Sequence, residues 1–161
     1  MIINVDENPI SFTKSKLPYG WLGNMSPWPV TDGTGVEWRT AEHLFQALRF
    51  DDKTIQSTIG REKSPMSAKF VAKANAGRMV IKPRSAEDVD IMLGVLRLKI
   101  GQHPQLREKL LETGGRQIIE DVTARGAGGS NLFWGMILTG DQWIGENTLG
   151  NLWRQVRREI G

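Results

Sequence analysis

With 161 residues, 39% of them hydrophobic and 24% charged, the chain has the make-up of one domain able to bury its own core, which argues against bulk disorder. It has no cysteine, which excludes disulfides, thiolate metal sites and a cysteine nucleophile. The net charge of +3 and pI of about 9.4 suit a phosphate or nucleic-acid ligand, and equally a solvated surface slightly rich in Lys and Arg.

Met1 to Asn8 hold two acids and no long apolar core, so no signal peptide is expected there. No run approaches the roughly 18 apolar residues of a membrane-spanning helix. The expectation is a cytoplasmic protein with no membrane partner. Up to Thr40 the chain reads as irregular: Pro18, Pro27 and Pro29 alternate with Gly20, Gly23, Gly33 and Gly35, and Asp32-Gly33 is a turn dipeptide. Val36 and Trp38 alternate with Glu37 and Arg39, the mark of a short strand.

Thr40 is the N-cap expected for a helix running to about Phe50, with Ala41, Leu44, Phe45 and Leu48 inward. Ser64-Pro65 opens a second helix that Gly77 closes, and Met79 to Ile81 reads as a short strand. Ser85 caps a third helix, whose apolar stripe is Val89, Met92, Leu93, Leu96 and Ile100. Pro104 starts a fourth, with Leu106, Leu110 and Leu111 inward and Gly114-Gly115 at its end. Gln117 to Val122 is strand-like, and a glycine-rich stretch from Arg125 to Gly150 follows. A last helix over about Thr148 to Ile160 buries Leu149, Leu152, Trp153, Val156 and Ile160 and leaves Arg154, Arg157 and Arg158 outside. The sum is a mostly helical α+β single domain spanning 1–161, with about five helices and a few short strands, because the elements do not alternate as a doubly wound sheet requires.

Several familiar devices are missing. Two histidines, His43 and His103, give no metal-binding signature. Gly126-Ala127-Gly128-Gly129 lacks the Gly-Lys-Ser/Thr ending of a phosphate loop and reads as a flexible loop. No Gly-x-Ser-x-Gly elbow occurs, so serine acyl transfer has no support, nor has hydride transfer.

What remains is the segment from Arg39 to Phe50. Glu42 falls in the first turn after Thr40, where the helix dipole favours a carboxylate. Glu42, Gln46, Arg49 and Lys53 share one stripe: an acid, an amide and two cations, able to hold a water, a sugar hydroxyl and a phosphate. From spacing alone the same stripe reads first as an ordinary solvated helix face, since polar i, i+4 stripes are commonplace. Trp21, Trp28, Trp134 and Trp143 lie in Gly/Pro-rich loop segments, as stacking platforms for a base or as rings folded back over the core. Trp38 and Trp153 read as core.

Thr40-Ala41-Glu42-His43-Leu44-Phe45-Gln46-Ala47 resembles the Ser/Thr-x-Glu-His-x-Phe/Tyr-Gln-Ala signature of the NADAR superfamily of YbiA-like proteins. Further blocks follow in that family's order: Tyr19 to Asn24, Ser64-Pro65 to Lys69, Gly77-Arg78, and Met92 to Ile100 with Leu106 and Leu110 to Gly114. After these come Glu120, Trp134-Gly135, Gly145-x-Asn147-x-Leu149-Gly150 and Arg157. The resemblance implies hydrolysis of an N-glycosidic bond to a phosphorylated ribose, with no cofactor. It implies Glu42 as the catalytic carboxylate, and Asn24, Trp134, Gly135, Asn147 and Arg157 as groups for ribose, base or phosphate. Trp21, His43, Gln46, Arg49 and Asn131 complete the ligand-binding set, Trp21 as an alternative stacking ring and Arg49 as an alternative phosphate partner.

Three departures from the family pattern are visible. Arg49 stands where a lysine is usual, and a guanidinium is not a usable amine nucleophile toward ring-opened ribose. Lys99 is then the remaining family-matched lysine and a second catalytic candidate. Asn131 replaces the usual acid before Trp-Gly, and the block around Pro83-Arg84 has no tryptophan. The leading expectation is removal of ADP-ribose from guanine in nucleic acid, with a DNA ADP-ribosyltransferase toxin as the partner whose modification it reverses. Cleavage of ribosylamino-pyrimidine intermediates of riboflavin synthesis and non-catalytic ADP-ribose binding are the alternatives.

Overall fold

The computed structural model describes all residues, Met1–Gly161. In chain order the first elements are β1 (Ile2–Asn4), β2 (Ile10–Phe12), β3 (Val30–Thr31), β4 (Glu37–Trp38), α1 (Ala41–Ala47), α2 (Lys53–Arg61) and α3 (Pro65–Ala74). Then come α4 (Ala86–Gln102), α5 (Pro104–Glu112), β5 (Ile118–Glu120), α6 (Asn131–Trp134), β6 (Ile137–Thr139), β7 (Gln142–Ile144) and α7 (Thr148–Ile160). The class is α+β and mostly helical, as expected, with seven helices instead of about five. No helix is long and apolar enough to cross a membrane.

The chain divides into two compact units, Asn24–Gln102 and a second made of Met1–Gly23 with His103–Gly161. In the second unit, β1, β7 and β6 form an antiparallel sheet in that order, and β2 pairs in parallel with β5, Ile10 opposite Ile118. Amphipathic α7 packs on β5 through Leu149, Leu152, Trp153 and Val156, all buried. Trp153 is fully buried, and its indole N–H donates to Leu22 O at 2.9 Å, which satisfies the one polar atom of the ring. Gly150 permits this contact: a Cβ there would run into Ile118 O and the Asn147 side chain. The glycine-rich stretch is therefore not only loop, since it holds α6 and the β6–β7 hairpin. Trp143 of β7 belongs to the core with Ile3, Ile119 and Met136.

The Asn24–Gln102 unit starts with the β3–β4 hairpin, Val30 opposite Trp38. Its turn is organised by Asp32, whose carboxylate accepts from Thr34 N, Thr34 Oγ, Val36 N and Trp38 Nε1 at 2.7–3.0 Å. Burial opposes ionisation of Asp32, but these hydrogen bonds outweigh it and hold the carboxyl at about 2. Thr40 Oγ1 accepts from His43 N and caps α1 as expected. The helix stops at Ala47, three residues short of Phe50, because Arg49 N and Phe50 N fold back onto the carbonyls of Gln46 and Ala47. Leu48, expected inward, lies past this end and is exposed.

Asp52 caps α2 through Thr54 N and Ile55 N, and only Ile55 and Ile59 of that helix are buried. Ser64 caps α3, which ends at Ala74; the next turn, Ala76–Arg78, is a tighter 3-10 turn and not a continuation to Gly77. Met79 to Ile81 is no strand, because Val80 N and Ile81 N both turn to Arg49 O and close the end of α1. Ser85 Oγ accepts from Asp88 N at the start of α4, as expected.

Candidate active site

Every residue of α1 is buried, the polar ones included. The stripe expected to be a solvated face is therefore an interior one, and Lys53 is not part of it: it opens α2, exposed, with Gln56 as its partner. The other three members form a hydrogen-bonded chain. Glu42 Oε1 accepts from Gln46 Nε2 at 2.8 Å, and Gln46 Oε1 accepts from Arg49 Nη1 at 3.3 Å. Arg49 then makes a two-pronged pair with Asp88 of α4, Nε to Oδ1 at 2.8 Å and Nη2 to Oδ2 at 2.6 Å. Its guanidinium lies over the Phe45 ring, 4.3 Å from the centroid.

The order of donors in this chain has a consequence. Arg49 can only donate, so it fixes which end of the Gln46 amide faces it. The NH2 end must then face Glu42. One carboxylate oxygen of Glu42 is thus oriented by a rigid amide, while Oε2 makes no hydrogen bond within the chain. The residue keeps 8% of its surface exposed. Glu42 N also donates to Asn24 O at 3.0 Å, which ties the start of α1 to the Asn24 loop.

Asn24 donates its amide to Met92 Sδ at 3.0 Å, and its Oδ1 is buried with no partner. A buried orphan acceptor costs about 1–3 kcal/mol, and a hydroxyl or N–H of a ligand would relieve it. His43 is completely buried, with Thr40 Oγ1 at 2.8 Å from Nδ1 and Glu62 O at 2.9 Å from Nε2. Its ring ties α1 to the end of α2 and presents nothing to a ligand. Lys99 is also completely buried, its amine donating to Ser26 Oγ at 3.0 Å. Burial pushes that amine down from 10.5 to about 7. A covalent role for Lys99 would require it to be uncovered.

The remaining candidates lie in the other unit. Trp21 is half-buried, edge-on to Trp153 with centroids 6.3 Å apart. Asn131 starts α6 and donates to Gly126 O at 2.9 Å, which pins the glycine-rich turn. Trp134 is half-buried at the other end of α6, edge-on to Phe133 at 4.9 Å. Gly135 is buried where a Cβ would meet Glu120 O at 2.5 Å, so its glycine is required for packing. Asn147 is fully buried, with Nδ2 donating to Ile118 O at 2.8 Å and Oδ1 accepting from Glu120 N at 3.2 Å. Both ends of its amide hold β5. Arg157, expected outside, is buried and donates to Thr113 Oγ1 at 2.7 Å and Arg116 O at 2.9 Å. It locks α7 to the end of α5, because a guanidinium can reach both partners at once.

Glu42, Gln46, Arg49, Asn24, His43 and Lys99 thus gather in one unit. Asn131, Trp134, Gly135 and Asn147 cluster in the other, where Asn147 N donates to Gly135 O. The two arginines offered as phosphate partners, Arg49 and Arg157, are both engaged by protein groups. Asp88 and Ser26 were not foreseen. A signal for Asp88 did exist: it falls with Met92, Leu96 and Lys99 on the buried stripe of α4, and a charge on an apolar stripe calls for a buried counter-charge. Ser26 carries no such signal.

Comparison with known proteins bears on the family and the fold. The model of the NADAR domain family matches residues 11–161. The N-glycosidase YbiA of Escherichia coli strain K12 is 33% identical over 155 residues, covering 94% of this chain and 88% of that protein. The maize protein named "Riboflavin biosynthesis protein PYRR, chloroplastic" is 30% identical over 168 residues, covering 96% of this chain and 26% of that one. The NMR structure of E. coli YbiA superposes with a TM-score of 0.69 at 33% identity, covering 94% of this chain and 83% of the other.

Proposed function

The chain belongs to the NADAR domain family and is a hydrolase acting on N-glycosyl bonds, and on that premise we propose that it releases ADP-ribose from guanine bases in nucleic acid. The observation that carries the reading is the setting of Glu42, with one oxygen held by Gln46 and the other without a partner in the chain. Breaking the bond from ribose C1 to a base nitrogen builds oxocarbenium charge on the sugar, which a fixed carboxylate beside C1 stabilises. As water oxygen bonds to C1, its proton passes to Glu42 Oε2. The electrons of the C1–N bond go to the base nitrogen, which takes up a proton from solvent as the base leaves, and Glu42 then returns its proton to solvent. General-base action of this kind is worth roughly 10²–10⁴-fold.

Asn24 supports the reading, because its orphan Oδ1 is an acceptor suited to a ribose hydroxyl. The basic balance of the chain supports a nucleic-acid substrate over a small metabolite. A DNA ADP-ribosyltransferase would be the partner that supplies the modified base. A second reading, cleavage of a ribosylamino-pyrimidine, is favoured by the name of the maize relative.

Incubating purified protein side by side with an ADP-ribosylated oligonucleotide and a phosphoribosylamino-pyrimidine separates the readings. Free ADP-ribose should appear from the first with the larger kcat/KM. A larger kcat/KM on the pyrimidine would overturn the substrate assignment. Micromolar binding of ADP-ribose with no release from either would make the protein a reader.

A further inference from the structure

Helix α3 is turned inside out relative to an ordinary surface helix. Its buried face is made of small residues, Ala68 and Ala72, which allow close packing on α1. Its large side chains point outward: Met66, Lys69, Phe70 and Lys73 recur at i, i+3, i+4 and i+7, one stripe of the helix. Phe70 is 61% exposed and Met66 45%. Isolated exposed apolar residues need no explanation, but a ring set between two lysines on one stripe does.

The charge of this region is equally uneven. Between Arg61 and Arg84 the chain holds seven cations and a single acid, Glu62, whereas the rest of the chain holds 14 cations against 17 acids. The positive balance of the protein is therefore concentrated in this one segment. Arg78 pairs with Asp52, but Arg61, Lys63, Lys69, Lys73, Lys82 and Arg84 make no ion pair within the chain. A cationic face that does not neutralise itself raises the local concentration of polyanions.

We propose that the outer face of α3, with Lys63 before it, is a docking surface for single-stranded nucleic acid, on which Phe70 stacks with a base while Lys63, Lys69 and Lys73 meet phosphates. An aromatic ring among cations is the combination that binds single strands without regard to sequence, since every base has a π-face and every nucleotide a phosphate. A duplex fits less well, because its bases are already stacked. A lipid surface fits less well too, since only Met66 and Phe70 are available to enter it. This exposed stripe is a different face of α3 from the one that Ala68 and Ala72 bury. It builds on the nucleic-acid reading above, but its test leaves the glycosidic bond out.

The test is fluorescence anisotropy with an unmodified, labelled single-stranded oligonucleotide and the whole chain. Contact of the three lysines with about three phosphates weakens binding roughly 20-fold between about 50 and 200 mM salt. Phe70→Ala should weaken binding roughly tenfold at fixed salt. Lys69→Glu with Lys73→Glu should weaken it further and flatten the salt dependence. Circular dichroism should show both variants folded, and release from an ADP-ribosylated mononucleoside should stay at the parent rate. Unchanged affinity of Phe70→Ala, or equal affinity for a duplex, an acidic protein or anionic vesicles, would overturn the proposal. Absence of any glycosidase activity would overturn the reading of Glu42 and leave this binding result standing.

Discussion

Asp88, Arg49, Gln46 and Glu42 act as one unit, so the effect of changing one of them depends on which partner is left behind. Asp88 and Arg49 are both buried, and their paired hydrogen bonds offset the cost of taking two charges out of water. Asp88→Asn leaves the guanidinium uncompensated, and urea unfolding should show a loss of about 3–5 kcal/mol. A loss under about 1 kcal/mol, the size of a surface ion pair, would show that the pair does not hold α1 to α4. Lys99 makes the opposite kind of demand. Its amine sits near 7 in the folded protein against 10.5 when exposed, so between those values the unfolded chain binds more protons. Stability from this group therefore rises as pH goes from about 7 to about 10, by at most about 1.4 kcal/mol per pH unit. Lys99→Met should remove that rise in denaturation curves at pH 7, 8 and 9. An identical pH slope in parent and variant would show that the amine is not desolvated.

At the scale of elements, a helix is legible in the sequence where a cap or a full apolar stripe marks it, and its polar burial is not. Helix α7 has a clean apolar stripe, and its expected span of Thr148 to Ile160 is the one observed. Helix α1 is marked by its cap Thr40, but its burial on all sides is not, because it comes from packing against α2, α3 and α4, which follow later in the chain. Helix α2 was missed since Ile55 and Ile59 are its only buried residues, too few to set a period, and its cap Asp52 looks like any loop acid. The site was legible to the same degree: Glu42, Gln46 and Arg49 by spacing, Asn147 and Arg157 only by resemblance. The last two hold backbone carbonyls in the structure, which a motif cannot distinguish from holding a ligand. Trp153 is the residue through which α7 closes its unit, and Trp153→Ala should destabilise by about 3–5 kcal/mol. Thermal or urea unfolding checks it, and a change under about 1 kcal/mol would mean α7 is held elsewhere.

For the whole molecule, the excess charge lies in one short stretch inside the family match, after Glu42 in the sequence. The family signature runs from residue 11 to 161 and spans both compact units, while the excess positive charge is gathered between Arg61 and Arg84. The proposed hydrolysis rests on a single carboxylate, and the most direct measurement is the rate at which Glu42→Gln frees ADP-ribose from ADP-ribosylated guanosine. The substitution keeps the shape of the side chain and removes its charge, so the folded structure should persist and kcat should fall by roughly 10²–10⁴-fold. A folded Glu42→Gln protein that turns over at the parent rate would contradict the assignment of Glu42.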